Sequence, residues 1–254
     1  MKQALENISE IASLISQRGW AERNAGNVSV DVTEEYWPER GCTESEKVKT
    51  AKKYPELAGR CFLVTATGSR FRDIAKTPEG HVFVARIADD LDGYHVVSEP
   101  GESSSAPTSE FPSHLGIHAH LRRNDPAKKV VLHTHPDCLL ALTHISRYLA
   151  EDALNRLLWS MHPEMKIVMP DGVGVVPYGV PGSEELAEST VRVLAKHRLV
   201  LWEKHGCVAV GRDVFEAFDL IDTANKSANV FFIVKSAGFE PEGLTEAQLD
   251  ELVT

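Results

Sequence analysis

The sequence predicts an α/β fold on three observations. Short β-prone runs at 61–65, 81–87 and 94–97 are separated by turn residues, the pattern of an antiparallel meander. Stretches with apolar residues three and four apart lie before and after them, as amphipathic helices require. No internal repeat, low-complexity tract or linker interrupts the chain, so residues 1–254 are expected to form one domain of strands flanked by helices.

In chain order, Leu5, Ile8, Ile11, Ala12 and Ile15 share a helical face, and Gly19 ends that helix. A turn through Asn24, Gly26 and Asn27 leads into Val28-Ser29-Val30-Asp31-Val32, which alternates as a half-buried strand does. The polar residues 33–59, with Pro38, Gly41 and Pro55, read as a surface insertion. After the meander, residues 109–121 turn helical, with Thr108 or Ser109 as N-cap and Pro112 in the first turn. A strand at 129–133, helices near 137–148 and 150–160, a strand at 166–169 and a Pro/Gly-rich passage at 170–182 follow. Residues 184–197 are helical, and strands at 199–202 and 208–210 bracket Lys204-His205-Gly206. A long helix covers about 214–235, and Thr245 with Gln248 forms a capping box for a last short one.

Composition removes several function classes. With 27 Lys+Arg against 37 Asp+Glu the net charge is −10, which disfavours nucleic acid or an anionic membrane as partner. No apolar run approaches the ~18 residues of a membrane span. Glu6, Glu10 and Arg18 interrupt the place where a signal peptide would be apolar, so a cytoplasmic protein is expected. Cys42, Cys61, Cys138 and Cys207 show neither zinc-finger spacing nor a disulfide framework, and read as free thiols.

Eleven histidines include two H-x-H pairs, His118/His120 and His133/His135. Residues two apart share a face on a strand but diverge on a helix, so only a strand places such a pair on one metal ion. Lys129-Val130-Val131-Leu132 is β-prone and Pro136 ends it, which puts His133 and His135 side by side at a strand end. His205, in a tight turn before Gly206, is the best third ligand. Three imidazoles with an open fourth position make a catalytic metal site. Two partly exposed histidines at a strand end, or a helical set of Glu110, His114 and His118 spaced by four, are the alternatives.

Anions have two candidate seats. Thr65-Ala66-Thr67-Gly68-Ser69 follows an apolar strand, where hydroxyls and backbone N–H groups can cradle a phosphate. Pro107-Thr108-Ser109-Glu110 opens a helix, where unpaired N–H groups gather. Glu110 beside both a metal and a phosphate pocket would make a good acid/base; an ordinary loop and plain helix capping would leave the same residues.

Six segments in order, 19–27, 107–114, His133-Thr134-His135, Leu158-Trp159, Pro170-Asp171-Gly172-Val173-Gly174 and Trp202-Glu203-Lys204-His205-Gly206, resemble the class II aldolase family over about residues 8–240. The G-W-x-E-R-N-x-G-N opening is similar to the branch acting on rhamnulose 1-phosphate more than to the fuculose-phosphate branch. The resemblance implies a three-layer α/β/α domain with a mixed, largely antiparallel sheet. It implies zinc on His133, His135 and His205, Glu110 as acid/base, and Asn24, Thr67, Gly68, Thr108 and Ser109 at the phosphate end, with Asn27 supporting the loop. A second catalytic carboxylate falls on Glu164. The implied reaction is aldol cleavage of L-rhamnulose 1-phosphate to dihydroxyacetone phosphate and L-lactaldehyde, in a homotetramer with sites near subunit interfaces. A pentulose-phosphate epimerase or fuculose-phosphate aldolase of the same superfamily, and a non-catalytic module like the adducin head, are the alternatives.

Overall fold

The structure is a computed structural model that describes residues 1–36, 43–98 and 106–252. Among the described residues ten strands form one sheet: β1 Asn27–Asp31, β2 Thr43–Glu44, β3 Val48–Lys49, β4 Cys61–Thr65, β5 Val82–Ile87, β6 Gly93–Ser98, β7 Val130–Thr134, β8 Gly174–Val176, β9 Leu199–Trp202 and β10 Gly206–Gly211. Their order is β2-β6-β5-β4-β1-β7-β10-β9-β8, with β3 also on β6. Among the described residues only β8 and β9 pair in parallel, so the sheet is mixed and largely antiparallel.

Period-two alternation divides the central strands between two helical layers. Val130 and Leu132 of β7, with Leu199 and Leu201 of β9, join the core under α1 Lys2–Arg18, α4 Asp137–Leu142, α5 Glu151–Met161 and α8 Val214–Ser236. Val131, Val200, Trp202, Val208 and Val210 face the other way, towards α3 Phe111–Asn124 and α7 Glu184–Leu194. Burial of each such Val or Leu contributes ~1.5–3 kcal/mol, which the layers divide between them. Short helices α2 Phe71–Ile74, α6 Pro163–Val168 and α9 Glu246–Glu251 complete the set; α9 carries the expected capping box, and Gly19 ends α1 in a left-handed conformation.

Several elements differ from the sequence reading. Residues 166–169 are not a strand: Pro163 opens α6, and Met165 and Met169, four apart, are the buried pair while Ile167 and Val168 stay exposed. That is helical spacing, and Pro at N1 sets it. The passage 170–182 contains β8, which its Pro and Gly residues concealed. Residues 33–59 are not merely a surface insertion, since β2 and β3 pair with β6 and Leu57 is fully buried against the α3 face. Pro38, Gly41 and Cys42 lie outside the described residues. The helix expected at 137–148 ends at Leu142 and is followed by a 3₁₀ turn at Ser146–Leu149. α3 begins at Phe111 with Glu110 itself at the N-cap position and no side-chain capping bond, so neither Thr108 nor Ser109 caps it.

Strand β1 holds the least expected feature. Its alternate residues Asn27, Ser29 and Asp31 are polar, and all three are buried. The face they line is covered by α3, which meets Ser29 with His114 and His118.

Candidate active site

The site grows from the ends of β7 and β10. His133 is the fourth residue of β7 and His135 lies one residue past its end, so both project to the α3 side. Gly26, at φ 75°, lets the preceding loop pass against this strand: a Cβ there would stand 2.8 Å from the His133 carbonyl oxygen. His205 sits in the turn between β9 and β10. Lys204, at φ 58°, makes that turn, and its N–H donates to Thr143 Oγ1 at 2.9 Å, so the end of α4 fixes it. Trp202 stacks on the His205 ring, with centroids 5.0 Å apart.

Nδ1 of His133 lies 2.8 Å from the Cys207 carbonyl oxygen, which only accepts, so Nδ1 carries the hydrogen. Nδ1 of His135 lies 3.1 Å from Glu22 Oε1 and donates likewise. Both Nε2 atoms therefore present lone pairs, yet they stand 3.1 Å apart. Two lone pairs at that distance repel, and a shared cation would relieve the repulsion. Burial, and then the neighbouring imidazoles, push the His133 pKa well below the ordinary value, so a proton is a poor choice for that cation. Burial likewise lowers His205, against the opposing charge of Glu110. The ligating atoms of His133, His135 and His205 lie within 4.8 Å of one another, and a metal fits them, with the His133 and His135 rings oriented by hydrogen-bond partners behind and the His205 ring by the stacked Trp202. Glu22 completes that support: burial works to raise its pKa, but its own backbone N–H and the His135 ring bring it below the usual value.

Glu110 closes the cluster. Its Oε2 stands 3.5 Å from His133 Nε2 and its Oε1 3.5 Å from His205 Nε2, and the residue is only 6% exposed. Asn27 Nδ2 donates to Oε2 at 2.6 Å and to Thr108 Oγ1 at 3.2 Å. The two candidate anion seats meet here, because Thr67 N–H donates to Ala106 O at 2.8 Å and Thr108 N–H to Thr65 O at 3.0 Å. Asn24, Asn27, Thr67, Gly68, Thr108, Ser109 and Glu110 thus line one cavity of about 150 Å³ with the three histidines.

Glu164 does not join them. It lies in the first turn of α6, exposed, with its carboxylate 3.0 Å from His162 Nε2, and it does not line the cavity of its own chain. The rival helical set fails for a different reason: His114 and His118 point at Ser29 and are bonded there, and among the described residues the triad that could hold a metal is His133, His135 and His205. Glu22 and Ser29 escaped the sequence reading, and His114, weighed there as a metal ligand, is instead a hydrogen-bond partner of Ser29 and Asn27. Glu22 stood within the quoted 19–27 segment, and the polar alternation of β1 facing His114 and His118 four apart on α3 was the available signal for Ser29.

The match to known proteins agrees with this geometry. The family model for the class II aldolase and adducin N-terminal domain matches residues 6–232. The chain belongs to the class II aldolase family. Among class II aldolases, rhamnulose-1-phosphate aldolase of Bacteroides thetaiotaomicron is 41% identical over 99% of this chain and 97% of its own. The Listeria monocytogenes protein of the same name is 34% identical over 98% and 91%. The sugar-phosphate aldolase structure from Thermotoga maritima superposes with a TM-score of 0.78 at 33% identity, covering 96% of this chain and 99% of that one. Like these relatives, this class II aldolase is an enzyme, a carbon–carbon lyase, rather than a structural module.

Proposed function

We propose that the chain catalyses reversible aldol cleavage of L-rhamnulose 1-phosphate to dihydroxyacetone phosphate and L-lactaldehyde, with zinc as its metal. The observation that carries this reading is the Glu110 carboxylate set against both His133 and His205 in a cavity otherwise lined by hydroxyls and amides. Relatives named for this reaction, similar over nearly the whole chain, support the choice of substrate. Three imidazoles are a donor set that a borderline-soft divalent ion takes. Zinc supplies Lewis-acid stabilisation of the negative charge that develops on oxygen as the carbon–carbon bond parts.

The residues of the chain do the rest. Asn24, Thr67, Gly68, Thr108 and Ser109 bind the phosphate and so fix the reacting carbons relative to Glu110. Asn27 holds the loop and the carboxylate together. Cleavage moves two protons: the C4 hydroxyl loses one as the aldehyde forms, and C3, which keeps the electron pair of the broken bond, gains one. Glu110 delivers the proton to C3 and removes it in the synthetic direction. Among the described residues no lysine lines the cavity, so no amine is offered for an iminium.

Glu164 takes the aldehyde end in this reading. Because it stands outside the cavity of its own chain, it serves a neighbouring copy, in the homotetramer that the family resemblance implies. The whole chain acts as one domain. A phosphorylated sugar does not cross a bilayer, so the reaction belongs in the cytoplasm; no helix among the described residues is long and apolar enough to cross a membrane.

Assays of purified protein on rhamnulose 1-phosphate, fuculose 1-phosphate and ribulose 5-phosphate, with metal content measured on the same sample, test the reading. Triose phosphate release from the first is expected, together with loss of activity to a chelator. Preference for the second reassigns the substrate, and isomer formation from the third without triose release makes the protein an epimerase. Full activity in metal-free protein overturns the metal assignment.

A further inference from the structure

Beneath Glu110 lie three polar side chains that neither metal nor substrate accounts for: Ser29, His114 and His118, all buried. Their hydrogens can be placed one by one. An ionised Glu110 carboxylate only accepts, so the Asn27 atom 2.6 Å from Oε2 is the amide nitrogen, and the amide oxygen faces His114 Nε2 at 2.5 Å. Nε2 of His114 therefore carries a hydrogen. In the neutral ring, Nδ1 then accepts, and its partner at 2.6 Å is the Ser29 hydroxyl, which donates. Ser29 Oγ in turn accepts from His118 Nε2, at 2.8 Å. Every donor in the row points the same way, from His118 through Ser29 and His114 to Asn27 and Glu110.

We infer that Ser29, His114 and His118 form a polarity lock: they hold the Asn27 amide in one orientation, so that Oε2 of Glu110 is tied down and Oε1 is the oxygen that moves the proton. A flipped amide would set its oxygen against the carboxylate at hydrogen-bond distance, where two acceptors repel, and would leave two donors facing each other at His114. The buried row opposes that flip, which would need the rings of His114 and His118 to change tautomer and the Ser29 hydroxyl to turn with them. Oε1 keeps its place 3.5 Å from His205, on the cavity. Ser29, His114 and His118 are positioning residues, acting on the reaction through Asn27 and Glu110. The lock rests on the reading of Glu110 as the proton carrier.

The test makes His114→Leu, His114→Gln and Ser29→Ala, each alone and each combined with Glu110→Gln, and measures kcat, KM, metal content and thermal midpoint. With the carboxylate misplaced, His114→Leu is expected to lower kcat by ~10- to 100-fold while KM and metal content stay within about twofold. His114→Gln, whose amide nitrogen can stand near Nε2 and donate to Asn27, should recover most of that loss. In the Glu110→Gln background none of the changes should lower residual turnover further, because residues acting through one group are not additive. If His114→Leu does not fold, Ser29→Ala, which removes one oxygen, carries the same comparison with an expected kcat loss of ~3- to 10-fold. Unchanged kcat in the single variants, equal losses with and without Glu110→Gln, or His114→Gln as impaired as His114→Leu would each overturn the lock. Near-normal turnover of Glu110→Gln alone overturns the Glu110 assignment and the lock with it, and that result is read from the one variant.

Discussion

His205 and Glu110 stand 3.5 Å apart, yet replacing them should have different signatures. His205→Ala removes a ligand, so metal content and turnover should fall together. Glu110→Gln leaves the three imidazoles in place, and loss of a positioned acid/base costs about 10²- to 10⁴-fold in turnover. Metal analysis beside kcat distinguishes the two; metal retained in His205→Ala would remove that residue from the ligand set. His118, with no ligand role, makes its prediction through stability. Burial lowers its pKa from 6.5 to about 4, with the Asp31 charge working against that and Arg60 with it. Between those values the unfolded chain binds a proton that the folded one refuses. Stability from the neutral ring is therefore complete above about pH 6.5 and is lost as pH falls towards 4, by at most about 3 kcal/mol. Urea midpoints from pH 7.5 down to 5 should fall less steeply in His118→Leu than in the parent, and equal slopes would refute the assignment.

At the scale of the element, the turn from β9 to β10 brings a remote histidine to the strand-end pair. Gly206 permits the approach: a Cβ there would lie 2.5 Å from His135 Cδ2 and 2.6 Å from the Thr134 carbonyl oxygen. The backbone contact cannot swing aside, so Gly206→Ala should destabilise the protein by about 1–3 kcal/mol and weaken metal binding by displacing His135. A variant with parental melting and metal affinity would show that the turn tolerates the shift. The pairing of β1 with α3 is the second such device. A polar strand face is ordinarily left to water, but here Asn27 and Ser29 are matched by histidines one helical turn apart, and the matched face carries Glu110 at its end.

At the scale of the whole molecule, the place of Glu164 ties the proposed reaction to assembly. Glu164 lies on α6, away from the cavity its own chain lines, so its proposed role requires a second copy. Mixing makes this testable. Glu110→Gln and Glu164→Ala should each be poor in cleavage as pure oligomers. Oligomers re-formed from both together should regain activity, because a site can then combine an intact Glu110 from one chain with an intact Glu164 from another. Glu164→Ala alone should still exchange the C3 proton of dihydroxyacetone phosphate in deuterated water, which needs the metal and Glu110. No recovery on mixing, or loss of exchange, would return Glu164 to the surface.

Read alone, the sequence determined the α/β class, the antiparallel meander and the strand carrying His133, because period-two and period-three-to-four patterns are local and survive without a partner. It also singled out Asn24, Asn27, Thr67, Gly68, Thr108, Ser109, Glu110 and the three histidines of the cavity, through ordered motifs that fold in tertiary space onto one place. What it could not decide was which polar residues face inwards. Ser29 and Asp31 read as the wet side of a strand until α3 covers them, and residues 166–169 read as β until Met165 and Met169 are seen to share a buried face. The meaning of His114 and His118 likewise changed from possible ligands to the support of Asn27. Hydrogen-bond partners from β1 and α3 are more than eighty residues apart in the chain. Only the tertiary fold brings them together, and burial then obliges each donor to find its acceptor.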